Sequence, residues 1–308
     1  MKISQTPTLG FAILSHKQPS KHFEMLLEYL VAIPGVKLAI HHDYNQSYLS
    51  QGFLDHFGVR KVENYRQTQW CGVNNVYAIL DTFMLLYESP PQPDWYITLS
   101  TDTYPIKSIK SILDFFINAK ADVYMQRHLL GLEYGGRFAN KHRALFTKYL
   151  GHVPLITRTG KFQMKPVRMP ILKRMTPFRN TLQPYMSSDW FMFNAKAMNC
   201  LVKENLYHSE FVEYLQQAAN RPDLTICPPE IAFATFFSNQ KELTHAEHNY
   251  FFIKWTDYVG KKRWHPDILT ERHFDAIKNS DDLFARKFSD DESLKLTQKI
   301  NSELINNF

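Results

Sequence analysis

The sequence predicts an α/β protein whose core is a mostly parallel sheet flanked by helices. Two observations lead there. Over the first 126 residues, short apolar runs alternate with segments whose apolar residues recur at helical spacing, the pattern of repeated βαβ units. The chain of 308 residues is also 44% hydrophobic, 14% aromatic and 21% charged, which excludes wholesale disorder, a collagen-like chain and a coiled coil. Right-handed crossovers in such a sheet place ligands at the carboxyl ends of its strands.

The elements follow in order. Residues 9–14 are a short apolar run and predict a buried strand. Pro19 and Ser20 open a helix that carries Phe23, Leu26, Leu27 and Leu30 on one face, and Pro34-Gly35 ends it. Strands are predicted over 36–40 and 59–62, with a short helix over 49–57 between them. Residues 74–87 place Val76, Ile79, Leu80, Phe83 and Leu86 at helical spacing. The proline-rich stretch 89–93 is a connector, followed by strand 95–99, helix 109–117 and strand 122–126. Residues 127–186 show little periodicity. Beyond them come a strand over 191–193, helices over 195–203, 210–218 and 230–237, an edge strand over 250–255 and an amphipathic helix over 292–305. We expect a single domain over 1–308. Its first 126 residues form a nucleotide-binding half, 127–186 a basic acceptor- or membrane-side segment, and 187–308 the catalytic half.

Charge is unevenly spread. Arg127 to Arg179 contains twelve Lys or Arg and one acid, Glu133, while the whole chain is only +6. Such a segment is either a solvated loop or a surface for an anionic partner: a nucleotide diphosphate, an acidic glycan, a lipid headgroup or nucleic acid. Apolar stretches such as 26–33 fall well short of the ~20 residues that span a bilayer. The first residues lack the apolar core of a signal peptide. The expectation is a cytoplasmic protein, peripheral to the inner face of the membrane at most. Cys71, Cys200 and Cys227 are odd in number and widely spaced, which predicts buried free thiols rather than a disulfide or zinc site.

The usual phosphate-binding signatures, GxxxxGK[ST] and GxGxxG, are missing, as is an Asp-x-Asp pair to hold a metal on a diphosphate. A nucleotide would then need Arg or Lys as its counter-charge. Arg286 and Lys287 lie side by side in the strand-like LFARKF. In a low-dielectric setting they would stabilise a departing diphosphate; in a solvated one they would merely edge a strand. Asp189 precedes a strand, Glu230 opens a helix after Cys227-Pro228-Pro229, and Asp43 ends a strand. Each suits a general base, and each suits a structural role at least as well. His41 and His42 are adjacent on a strand and point to opposite faces, which disfavours metal ligation there. Asp43 at that strand's end suits a ribose or base contact. Trp70-Cys71-Gly72 and residues 100–105, including Ser100 and Asp102, sit at strand ends or turns on the same predicted rim.

Taken in order, these pieces resemble one family, the core-2/I-branching N-acetylglucosaminyltransferases together with the peptide O-xylosyltransferases. His41-His42-Asp43 is similar to its HxD, residues 70–78 to WGGxSxVxA, and 99–106 to LSGxDxPL. Ser188-Asp189-Trp190-Phe191 matches the SDWF of the xylosyltransferase branch. Residues 228–239 resemble PxExxFxTxxxNS, and 265–287 resemble the terminal stretch that closes on FARKF. There are departures. The family aspartate of LSGxDxP falls on Thr103, Cys71 and Thr101 replace glycines, and Pro229 stands where an acid is usual.

The resemblance implies a GT-A fold, a UDP-sugar donor carrying GlcNAc or xylose, inversion at the anomeric carbon and no required metal or other cofactor. It implies Arg286 and Lys287 on the diphosphate, Asp43 and Trp70 near the uridine, and Asp189 or Glu230 as the base. Ser100, Asp102 and Arg263 complete the candidate donor set. The acceptor would be a hydroxyl of a glycan or glycolipid, with surface polysaccharide synthesis as the expected role and no nucleic acid as partner. Two other readings compete: a non-catalytic module binding acidic glycan or nucleic acid through 127–179, and a metal-dependent GT-A glycosyltransferase using Asp102.

Overall fold

The computed structural model describes residues 6–130, 143–172, 175–178, 182–222, 226–256 and 265–306. The strands are β1 (Leu9–Ser15), β2 (Lys37–His42), β3 (Val59–Lys61), β4 (Trp95–Ser100), β5 (Thr103–Pro105), β6 (Val123–Tyr124) and β7 (His128–Leu129). They continue with β8 (Thr147–Ile156), β9 (Phe162–Pro170), β10 (Tyr185–Met186), β11 (Met192–Asn194), β12 (His245–Ala246), β13 (Phe251–Ile253) and β14 (Phe284–Arg286). The helices are α1 (Lys21–Val31), α2 (Gln51–His56), α3 (Asn74–Tyr87), α4 (Ile109–Ile117), α5 (Ala195–Lys203), α6 (Glu210–Ala219), α7 (Pro228–Ser238), α8 (Phe274–Lys278) and α9 (Asp290–Ile300).

Seven strands make the central sheet, in the order β12-β6-β11-β4-β1-β2-β3. It is mostly parallel: β1 pairs in parallel with β2 and β4, β2 with β3, and β6 with β12. Only β11 runs antiparallel, between β4 and β6. Because side chains alternate along a strand, β1 feeds two cores. Leu9, Phe11 and Ile13 enter a cluster with Phe23 and Leu27 of α1, Ile112 of α4 and Leu296 of α9. Ala12, with Ala39 of β2, enters the opposite cluster, where Phe83 of α3 meets Phe191, Phe193 and Phe233 edge-on. Helix starts follow the expected chemistry. Ser20, Ser108, Asn194, Ser209 and Ser289 each accept a backbone N–H of the first turn of α1, α4, α5, α6 and α9.

A second, three-stranded sheet positions the site. Its order is β13-β14-β5. The antiparallel pairing of β14 with β5 sets Arg286 opposite Thr103, three residues beyond the carboxyl end of β4.

Two expectations are corrected. Residues 127–186 contain regular structure: β8 and β9 form a long antiparallel hairpin from Thr147↔Pro170 to Ile156↔Phe162. Most of its side chains are exposed on both faces, so no buried face imposes an alternating pattern. The thiols are not all free either. Cys71 and Cys227 are joined in a disulfide with Cα atoms 4.2 Å apart, and Cys200 alone remains a buried thiol. The tertiary fold brings together residues 156 apart in sequence, which spacing could not reveal. Disulfides persist in oxidising compartments, so this pairing weighs against the cytoplasmic expectation. Among the described residues no helix is long and apolar enough to cross a membrane.

Candidate active site

The carboxyl ends of β1 and β4 and the end of β14 converge on an open cleft of about 440 Å³. Lys17, Asp102, His265 and Lys287 supply its charged and titratable lining. Asp102 stands across from both cations: Arg286 Nη2 lies 3.1 Å from its Oδ1, and Lys287 Nζ 3.4 Å from its Oδ2. The Ser100 hydroxyl donates to Asp102 Oδ1, and the Phe288 N–H donates to the Asp102 carbonyl at 2.9 Å. Burial alone would raise the pKa of Asp102. The neighbouring Arg286 and Lys287 charges, with the hydrogen bonds from Ser100 and Arg286, instead hold it well below the ordinary carboxylate range. The pair therefore sits at the strand-end rim in a semi-buried setting, and Lys287 reaches the cleft. His265 has a lowered pKa, from burial first and then from Lys287 and Arg286, which favours its neutral imidazole.

Arg286 is fixed from a second side. Its guanidinium carbon lies 4.1 Å from the centroid of the buried Trp190 ring, within cation–π range. Trp190 follows Asp189, so the loop that carries one candidate base also carries the platform of the cation. That loop is held by the fully buried Asn249, whose amide donates to Ser188 Oγ and to the Trp190 carbonyl, both at 3.0 Å. Thr98 of β4 donates to the Asp189 carbonyl at 3.0 Å. The other candidate, Glu230, lies in the first turn of α7, and its carbonyl accepts the Ser187 N–H at 2.8 Å. The segments that carry the two carboxylates are thus bound to each other, and neither Asp189 nor Glu230 is among the residues that line the cleft.

The end of β2 does something the sequence did not predict. His41 Nε2 accepts the Arg66 N–H at 2.9 Å, while His42 turns the other way and bonds Ser15 Oγ through Nδ1, also at 2.9 Å. Asp43 is fully buried, and its carboxylate accepts from Asn45, Gln46 and both the N–H and hydroxyl of Thr68. Burial alone would raise its pKa, but these hydrogen bonds hold it below the ordinary carboxylate range. The Asp43 carboxylate therefore anchors the loop leading to Trp70. Trp70 is exposed, with its ring edge-on to that of His265, at 6.1 Å between centroids, beside the cleft. Arg263 lies outside the described residues.

A model of the Core-2/I-Branching enzyme matches residues 9–278. The chain belongs to that family. A β-glucuronosyltransferase of Arabidopsis thaliana, GlcAT14B, is 24% identical over 251 residues, which is 80% of this chain and 52% of the relative. The chain thus spans about half the length of that curated relative. Among solved structures, a 4-diphosphocytidyl-2C-methyl-D-erythritol synthase of Anaerococcus prevotii shows 15% identity and a TM-score of 0.34, over 72% of this chain and 86% of its own. A Leishmania major UDP-glucose pyrophosphorylase mutant in complex with UDP-glucose shows 10% identity and a TM-score of 0.36, over 78% and 61%. Overlaps this partial do not bear on function.

Membership in the Core-2/I-Branching family, a family of glycosyltransferases, gives the departures a physical reading. Cys71, at a glycine position of the WGG pattern, keeps a left-handed backbone at φ 55° that side chains rarely adopt. Its sulfur ties the Trp70 turn to Cys227, the cap of the helix bearing Glu230. Gly72 remains, because a Cβ there would come within 2.7 Å of the Gln69 side chain and 3.1 Å of its carbonyl. Asp102 lies one place before the family aspartate, yet its carboxylate reaches both cations. The sequence missed Trp190 and Asn249 as positioning residues and Lys17 as a cleft cation. A signal existed only for Trp190, inside the SDWF motif.

Proposed function

We propose that this chain is an inverting glycosyltransferase that moves a sugar from a UDP donor to a hydroxyl of a glycan or glycolipid, giving a β-linkage. The observation that carries the reading is the Asp102–Arg286–Lys287 cluster at the strand-end cleft. Inverting transfer needs a base on the acceptor and neutralisation of the departing diphosphate. In the proposed step, Asp189 or Glu230 takes the acceptor hydroxyl proton. The oxygen attacks the anomeric carbon, the bond from that carbon to the phosphate oxygen breaks, and UDP leaves with the bonding electron pair. Arg286 and Lys287 stabilise its growing charge.

A divalent cation is not required in this scheme. Asp102, the acid that lines the cleft, is already engaged by both cations, so a metal would have to compete with them. Trp70, beside the cleft, is the candidate for stacking on uracil, with Asp43 holding its loop. The donor sugar is GlcNAc or xylose by family resemblance, and the name of the Arabidopsis relative adds glucuronic acid. The test is UDP release from UDP-GlcNAc, UDP-xylose and UDP-glucuronic acid, with and without glycan acceptors. The reading expects release from one of them above the others. Tight UDP binding with no release from any would contradict it.

A further inference from the structure

The β8–β9 hairpin stands apart from both sheets that build the site, pairing only with itself. Opposed residues of a hairpin share a face and alternate positions reverse it. One face therefore carries Ile156 with Phe162 and Pro154 with Met164. These side chains face solvent: Ile156 is 72% exposed, Phe162 68% and Met164 53%. Nine of the seventeen large hydrophobic residues exposed among the described residues fall between Leu150 and Met175. A two-stranded ribbon with an uncovered apolar face is marginal in water, and a patch of this kind marks a docking surface.

The charges say what covers it. Arg158 and Lys161 occupy the exposed turn directly beyond Ile156 and Phe162, and Lys148 and Lys165 lie along the exposed strands. No acidic residue occurs between Glu133 and Asp189. A second copy docking through the same face would set these cations against their own kind. A nucleic acid would be served by the cations but not by an isoleucine–phenylalanine tip. An anionic bilayer satisfies both, taking apolar side chains at the acyl boundary and cations at the headgroup phosphates. We infer that the β8–β9 hairpin docks the enzyme on an anionic membrane surface, with Ile156 and Phe162 entering the interface and Arg158 and Lys161 on lipid phosphate. The inference is independent of the donor site.

The full-length chain is tested by co-sedimentation with phosphatidylcholine vesicles and with vesicles containing one third phosphatidylglycerol. Binding to the anionic vesicles only is expected, weakening as salt rises. Ile156→Ser with Phe162→Ser should lower it by about tenfold or more. Arg158→Ser with Lys161→Ser should lower it by roughly fivefold per cation. Phe162→Trp should show blue-shifted emission on anionic vesicles alone. UDP affinity, unchanged in all of these, reports that the fold and the donor site persist. Several results would overturn the inference: no vesicle binding, vesicle binding indifferent to both double variants, or capture of RNA without vesicles. Self-association in sedimentation velocity that disappears in the Ile156→Ser, Phe162→Ser variant would do so too, by assigning the face to a second copy.

Discussion

Removing both cations of the site, Arg286→Ala with Lys287→Ala, probes the proposed chemistry directly. In the proposed mechanism each donates a charge-assisted hydrogen bond to a diphosphate oxygen, and such bonds contribute ~1.5–3 kcal/mol. Losing two predicts roughly 3–6 kcal/mol, or about 10²–10⁴-fold in UDP affinity. A Coulomb estimate is compatible: two unit charges at 4 Å interact by about 4 kcal/mol at an effective dielectric constant of 20. The loss has a second source. Asp102 is paired with both cations at 3.1 and 3.4 Å, and without them it becomes an unneutralised carboxylate facing the incoming diphosphate. Arg286→Lys separates charge from shape. It keeps the positive charge but lacks the guanidinium plane that lies 4.1 Å from the Trp190 centroid, so an intermediate loss is expected. Isothermal titration with UDP measures affinity, and circular dichroism checks the fold. A folded double variant whose UDP affinity stays within about threefold of the parent would refute the reasoning, since that leaves less than ~1 kcal/mol for the pair.

Asp189→Asn and Glu230→Gln should separate base from scaffold: one variant loses ~10²–10⁴ in turnover with UDP affinity retained, and two fully active variants would leave the mechanism without a base. Thiol titration of the denatured, unreduced protein should find one free thiol of the three cysteines, Cys200; three would contradict the Cys71–Cys227 bond. Cys71→Ser with Cys227→Ser should lower unfolding free energy by ~2–5 kcal/mol in urea titrations. The buried His41 has its pKa lowered to about 4, by burial first, so the folded state favours neutral imidazole. Its contribution, up to roughly 3 kcal/mol, is present above the unfolded value near 6.5 and is lost as pH falls from there toward 4. Melting temperatures across that range should drop, and less steeply in His41→Gln; identical slopes would assign the dependence to other groups.

Much of the sheet was legible because its signals are local. The apolar run of β1, the helical spacing of Phe23, Leu26, Leu27 and Leu30, and the cap Ser20 act within a few residues. The cation pair was visible as a conspicuous sequence, and the strand-end rule located the rim it occupies. What escaped depends on distance. Asp102 meets Arg286 across 184 residues, Asn249 holds a loop 59 residues away, and Cys71 finds Cys227 only because the turn before α3 packs beside the start of α7. Asp43 was read as a ligand contact because it ends a strand. The five hydrogen bonds that tie its carboxylate to Asn45, Gln46 and Thr68 left no local signal. The hairpin was invisible for the opposite reason, having no buried face to leave a period in the sequence.

The central claim is that Arg286 and Lys287 take the place of a divalent cation on the departing diphosphate. Turnover of the best UDP-sugar, measured as UDP release with excess EDTA and again after adding magnesium or manganese, tests it most directly. The account predicts equal rates in all three conditions. Abolition by EDTA with recovery on adding either metal would contradict it.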